Sequence, residues 1–97
     1  MSIDDILGFD WDLSNRQKSW LKHRIAWFES EQVFFNEPLI IDPDIDHSVS
    51  EQRFRVLGQT NARKLLFISF TFRRGFIRVI SARPMSRLER KVYEETA

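Results

Sequence analysis

The chain has no cysteine among its 97 residues. Neither disulfides nor thiolate-held metals therefore support the fold, which fits a reducing compartment. Histidine is scarce too: His23 and His47 are the only two, and they are not spaced as a local metal pair. With three glycines in all, no G-x-G-x-x-G or G-x-x-x-x-G-K-[ST] loop is present, and H-E-x-x-H is missing. Nucleotide cofactors and zinc proteolysis thus have no sequence support. The run DPDID (42–46) lacks the glycine and the terminal glutamate of a calcium loop. No apolar stretch approaches the roughly 20 residues of a membrane span, and the acidic start MSIDDILGFD is not a signal sequence. The expectation is a cytoplasmic protein with no cofactor, no bound metal and no membrane partner, forming one domain over residues 1–97.

Apolar residues make up 42% and aromatic residues 13%, values typical of an ordered domain despite 30% charge. The net charge of +1 conceals a division. Residues 1–50 carry four Lys/Arg (Arg16, Lys18, Lys22, Arg24) against ten Asp/Glu, whereas residues 51–97 carry eleven against four. A basic half suits a polyanionic partner, although mutual neutralisation of the halves within the fold explains the same count.

Periodicity predicts an α+β domain. FDWD (9–12) alternates as a short strand. Asp12 is a candidate N-cap for a helix through about His23 with Trp20 and Leu21 facing inward. WFESEQVFF (27–35) predicts a second helix with Trp27, Ser30, Val33 and Phe34 on one side, ended by Pro38. LII (39–41) is a brief strand, and 42–50 a turn-rich connection. Three strands follow at 53–58, 65–72 and 76–83, with turns at Asn61 and Gly75. Ser86 and Glu89 form an S-x-x-E capping box for a final helix whose stripe is Leu88, Val92 and Tyr93. The expected architecture is a three- to four-stranded antiparallel sheet packed by two N-terminal helices and one C-terminal helix.

The segment TFRRGFIRVISAR (71–83) sets four arginines among the apolar residues of this sheet. A two-residue Arg74-Gly75 turn pairs Thr71 with Arg78 and Arg73 with Phe76. Continued without interruption, that register puts Ser81 and Arg83 on the core face with Leu66, Ile68 and Phe70. Ile80 and Ala82 then join Arg73 and Arg78 on a mixed face. That face is either a wetted sheet surface or a phosphate-binding floor. In the second case guanidinium groups fork onto phosphate oxygens, while Phe76 or Phe67 stacks on a base. Arg53 and Arg55 extend the patch. HSVSEQR (47–53) adds His47 and Glu51 as candidate proton-transfer groups. Lys22 and His23 suit a helix C-terminus by dipole complementarity alone, and become functional only by converging on the arginines.

Taken in order, FDWD, Lys22-His23, Val33-Phe34, HSxxExR (47–53) with Gly58, TxR (71–73), RVISAR (78–83) and ERKVYE (89–94) resemble the BrnT family of type II toxins. The resemblance runs from about residue 9 to residue 94. It implies a RelE-like fold and an endoribonuclease that stops translation until a cognate ribbon-helix-helix antitoxin binds it. Operator DNA is reached only through that antitoxin. The family's recurring polar residues fall on Lys22, His23, His47, Glu51, Arg53, Arg73, Arg78 and Arg83. Of these, Lys22, His23, Glu51, Arg53, Arg73, Arg78 and Arg83 are the candidate catalytic residues. His47, with Thr71 and Phe76, is a candidate RNA contact. The chain departs from the pattern at Asn15 and Ser19, where the family commonly has lysine and asparagine. It departs again at Arg24, where glycine is usual, and at Phe28, where an acid is usual. These departures keep a second class open, a non-catalytic module that binds RNA or protein through the basic sheet face. Either way, the expected basis of function is a set of guanidinium groups from separate strands gathered over one concave patch, free of the acidic N-terminal half.

Overall fold

The computed structural model describes residues 5–96; Met1 to Asp4 of the acidic N-terminal stretch and Ala97 lie outside the described residues. The elements run β1 (Gly8–Phe9), α1 (Leu13–His23), α2 (Trp27–Val33), β2 (Ile40–Pro43), β3 (Arg53–Gln59), β4 (Leu65–Arg73), β5 (Phe76–Pro84) and α3 (Arg87–Thr96). A single turn of 3₁₀ helix, Ile45–His47, lies in the β2–β3 connection. The α+β class and the three helices are as expected; the sheet is larger. It has five strands in the order β1-β5-β4-β3-β2, all antiparallel except β1, which runs parallel to β5. A parallel partner far away in sequence leaves no local signal, so the sequence reading omitted this pairing.

The β4–β5 hairpin turns through Arg74 (φ 55°) and Gly75 (φ 87°), both left-handed as a two-residue turn between twisted strands requires. Near the turn the register is the expected one, with Thr71 opposite Arg78 and Arg73 opposite Phe76. It then shifts between Ser69 and Phe70: Phe70 pairs with Val79 but Ser69 with Ser81, leaving Ile80 as an extra residue. This β-bulge corrects the face assignment beyond it, because one inserted residue reverses every later side chain. Ala82 enters the core at 0% exposure, while Ser81 and Arg83 turn to the opposite face. A signal for the bulge does exist in the sequence. The pair Val79-Ile80 breaks an alternation that resumes one residue late as Ser81, Ala82, Arg83.

The core lies on one face of the sheet. Val56, Leu66, Ile68, Phe70, Ile77, Val79 and Ala82 pack there under Ile25, Val33 and Phe34 from the α1–α2 segment. Phe70 is its centre, with ring centroids 5.1 Å from Phe34, 5.5 Å from Phe54 and 5.5 Å from Phe72. The second helix ends at Val33, four residues or more before Pro38, as Phe34 caps it and drops into the core. Gly58 lets β3 approach this helix: a Cβ there would stand 2.5 Å from Val33 Cγ1.

The first helix does not pack by an apolar stripe. Trp20 and Leu21, expected inward, are exposed, and the buried residues are Asn15 and Ser19. Beyond Ile77 the outer edge of β5 has no strand partner, and α1 lies along it. The Asn15 side-chain amide donates to the carbonyls of Val79 (3.0 Å) and Asp10 (3.1 Å), and the Ala82 amide donates to Ser19 Oγ (2.9 Å). The helix thereby meets the hydrogen-bonding groups of an otherwise open sheet edge. Its N-cap is Asp12, as expected, which accepts from Ser14 and Asn15 while Asn15 Oδ1 accepts from the Asp12 amide. In α3 the Ser86–Glu89 capping box forms, but Leu88 and Val92 are exposed and only Tyr93 is buried, its hydroxyl donating to the Pro38 carbonyl at 2.6 Å.

Two predictions follow from this packing. Gly58→Ala should lower stability by about 1–3 kcal/mol, since the buried Val33 methyl has no room to yield; an unchanged urea midpoint would contradict the close approach. Hydrogen bonds from the Ser14 hydroxyl and the Asn15 amide, aided by Arg78, hold the Asp12 carboxyl at about 2 against an ordinary 3.8. A depressed carboxyl stabilises the fold above its unfolded value and loses that contribution as pH falls towards its folded value. Thermal stability should therefore decline between about pH 4 and pH 2, and Asp12→Asn should flatten that part of the profile in thermal melts.

Candidate active site

The face opposite the core carries the arginines. Arg53 and Arg55 from β3, Arg73 from β4 and Arg78 from β5 share it through the strand register, and the bulge adds Arg83. Without the extra residue Arg83 would point into the core side. With it, Arg83 stands opposite Phe67, its guanidinium carbon 4.1 Å from that ring centroid. Such a cation–π contact fixes the plane of the guanidinium.

The first helix forms one wall. Because α1 is fastened to β5 by Asn15 and Ser19, the residues beside them, Ser14, Lys18 and Lys22, overlook the arginine face. Two adjoining cavities result. One, of about 290 Å³, is lined by Lys18, Glu51, Arg53, Arg73 and Arg78, with Ser14 at its rim. The other, of about 280 Å³, is lined by Lys18, Lys22, His23, Ser81 and Arg83. Lys18 borders both. It was absent from the expected site set, although Ser14, Lys18 and Lys22 follow at four-residue steps and so share one helix face. Lys22 and His23 do converge on the arginine side.

The arginines are gathered but not free. Arg78 is only 14% exposed and binds Asp12 at 2.8 Å and Asp10 at 3.5 Å. Arg83 makes a two-pronged pair with Glu89, at 2.8 and 2.9 Å, which lowers the Glu89 carboxyl and raises the Arg83 guanidinium from their ordinary values. Arg73 lies 3.7 Å from Glu51. The expectation of guanidinium groups clear of the acidic half is therefore corrected for Arg78. The parallel placement of β1 beside β5 brings Asp10 and Asp12 onto it. Arg53 differs: its Nε is fully shielded and finds no hydrogen-bond partner among the described residues.

Three expected contacts stand apart. His47 is in the 3₁₀ turn, its Nδ1 2.9 Å from the buried Asp44 carboxylate, and it lines neither cavity. Thr71 is buried and donates its hydroxyl to the Gln52 carbonyl at 2.7 Å, so it anchors the start of β3. Phe76 lies half-exposed beside the hairpin turn, opposite Arg73. Among the described residues no three of His, Cys, Asp and Glu assemble into a group that could hold a metal ion.

A basin with cations on three sides, one carboxylate and one imidazole has the elements for holding a phosphodiester and moving a proton beside it. No curated protein matches the chain. A family model does, over residues 11–89, and its description is a ribonuclease toxin, BrnT, of type II toxin–antitoxin systems. The match runs from just after β1 to the first turn of α3 and includes every residue of both cavities. The chain belongs to the BrnT family of ribonuclease toxins of type II toxin–antitoxin systems.

Proposed function

We propose that the chain cleaves RNA at the arginine basin by attack of the RNA's own 2′-hydroxyl on the adjacent phosphorus, without a metal. That route needs a base for the hydroxyl proton, cations for the charge developing on the phosphoryl oxygens, and an acid for the leaving 5′-oxygen. Glu51 is the base, because it is the carboxylate that lines the same cavity as Arg53, Arg73 and Arg78. Those three guanidinium groups, with Lys18, hold the phosphate. Lys22 and His23 border the neighbouring cavity with Arg83, and His23 donates the final proton there. The observation that carries the reading is the convergence of four cations, Lys18, Arg53, Arg73 and Arg78, and one carboxylate, Glu51, around a single cavity.

The ion pairs fit this reading. Arg78 and Arg83 are held in place by carboxylates outside the two cavities, so they are oriented before substrate arrives. Preorganised charge of this kind needs no reorganisation during the reaction. In the cell such cleavage arrests translation. The protein antitoxin that the family implies is, in this reading, of ribbon-helix-helix type, and it links the toxin to operator DNA.

Arg73 is the cleanest probe, being half exposed and only distantly paired. Arg73→Ala should reduce RNA cleavage by about a hundredfold or more with little change in melting temperature. Full activity in that variant would remove the basin from the mechanism. Replacing the 2′-hydroxyl at the cleaved position by 2′-O-methyl should abolish cutting there, and a chelator should leave it intact. A chain that binds RNA in a basin-dependent way but never cuts it would be the binding module instead.

A further inference from the structure

An exposed aromatic surface on α1 and α2 plays no part in that chemistry. Between α1 and α2 runs an open groove of about 370 Å³ lined by Arg16, Gln17, Trp20, Ala26, Trp27 and Phe28. Trp20 is 46% and Phe28 50% exposed, and the neighbouring Leu21 is 72% exposed. Trp27 and Phe28 meet edge to face at 5.8 Å, which makes one wall a rigid aromatic corner. Trp20 follows Lys18 by two residues, about 200° around the helix, so the groove lies on the side of α1 turned away from the basin.

Its rim is cationic. The Arg16 guanidinium lies 4.9 Å over the Trp27 ring and that of Arg24 lies 5.5 Å over Trp20. Neither forms an ion pair with a described carboxylate. Arg24 also occupies a left-handed conformation, φ 58°, which glycine adopts more easily. We propose that this groove is the docking site of the protein antitoxin, taking an apolar segment of it flanked by aspartate or glutamate. Apolar side chains fill the aromatic floor and the flanking carboxylates reach Arg16 and Arg24. Aromatic and arginine residues are the types that anchor protein interfaces.

Two other occupants fit less well. Single-stranded RNA would need bare indole faces for stacking, and here guanidinium groups already cover a face of Trp20 and of Trp27. A second copy of the chain, related by two-fold symmetry, would bring two cationic rims into one interface whose groove lining supplies no acid. An antitoxin seated here holds the toxin from the side remote from the arginines. Inhibition then requires a different part of the same partner to pass over α1 and cover the basin, so tethering and blocking are separate functions. The inference depends on the family's protein partner and not on the 2′-hydroxyl mechanism.

The test is a calorimetric titration of the intact chain with the purified product of the reading frame adjacent to its own. Trp20→Glu and, separately, Phe28→Asp should weaken binding by roughly 30-fold or more, while Arg73→Ala changes it far less. Both groove variants should still arrest growth when expressed, and co-expression of the partner should no longer relieve the arrest. The arrest reports the ribonuclease reading separately from the docking reading. Unchanged affinity in both groove variants overturns the proposal, as does a wild-type chain that does not bind that product. Loss of self-association in Trp20→Glu would reassign the groove to a second copy. Tryptophan quenching by an oligouridine that disappears in that variant would reassign it to RNA, and either result overturns the proposal.

Discussion

Two side-chain hydrogen bonds hold the first helix against the edge of β5, and the site is built on them. Beyond Ile77 the outer edge of that strand has no strand neighbour among the described residues, and at the bulge its backbone groups no longer follow a regular ladder. An unmet backbone donor or acceptor in such a place costs free energy comparable to a lost hydrogen bond. Asn15 and Ser19 supply the missing partners at Val79 and Ala82. Their spacing of one helical turn matches the span from one side of the bulge to the other. The bulge also turns Arg83 away from the core, and the helix so fastened sets Lys18 and Lys22 above the arginines. One local irregularity thus determines both the floor of the basin and its wall. Asn15 and Ser19, where the resembled family commonly has lysine and asparagine, are committed to backbone here, and Lys18 beside them lines both cavities.

The division of charge along the chain has a structural resolution. Asp10 and Asp12 of the acidic half close onto Arg78, and Lys64 of the basic half pairs with Glu29 at 2.8 Å. Part of the basic half's excess is therefore spent inside the fold. Of the basic half, Arg53 and Arg73 line the first cavity, where Lys18 of the acidic half joins them from α1 while Lys22 borders the second. Surface ion pairs add little stability in general. Their value here is positional, since Arg78 and Arg83 are each held by carboxylates rooted in different elements and cannot swing freely. Arg78 has a further duty, because Asp12 is at once its partner and the N-cap of α1.

Much of the fold was legible in the chain because local rules governed it. The Asp12 cap, the Ser86–Glu89 box, the Arg74-Gly75 turn and the strands at 53–59, 65–73 and 76–84 all carry their signals within a few residues. The failures share a different cause. The pairing of β1 with β5 joins segments almost seventy positions apart, and nothing in FDWD announces it. Trp20 and Leu21 were placed inward on the rule that helices bury apolar stripes. Here the helix is bound by polar contacts to a strand edge, and its apolar side is left outside. For the site, alternation places the basic residues Arg53, Arg73 and Arg78 on one face but puts Arg83 on the core side, where only the bulge reverses it, and it is silent on their pairing with acids. Ion pairs depend on the third dimension, and so does the choice between Arg16 and Lys18 as the helix cation that faces the arginines.

The clasp between Arg83 and Glu89 ties the last helix to the arginine face. Glu89 serves two masters, since the same carboxylate that grips the guanidinium also closes the Ser86 end of α3. Folding of the C-terminal segment and alignment of the cation above Phe67 are consequently one event. Before Glu89 has emerged from the ribosome, that cation has only the Phe67 ring and the Pro84 carbonyl to hold it, so its two-pronged grip forms together with the first turn of α3.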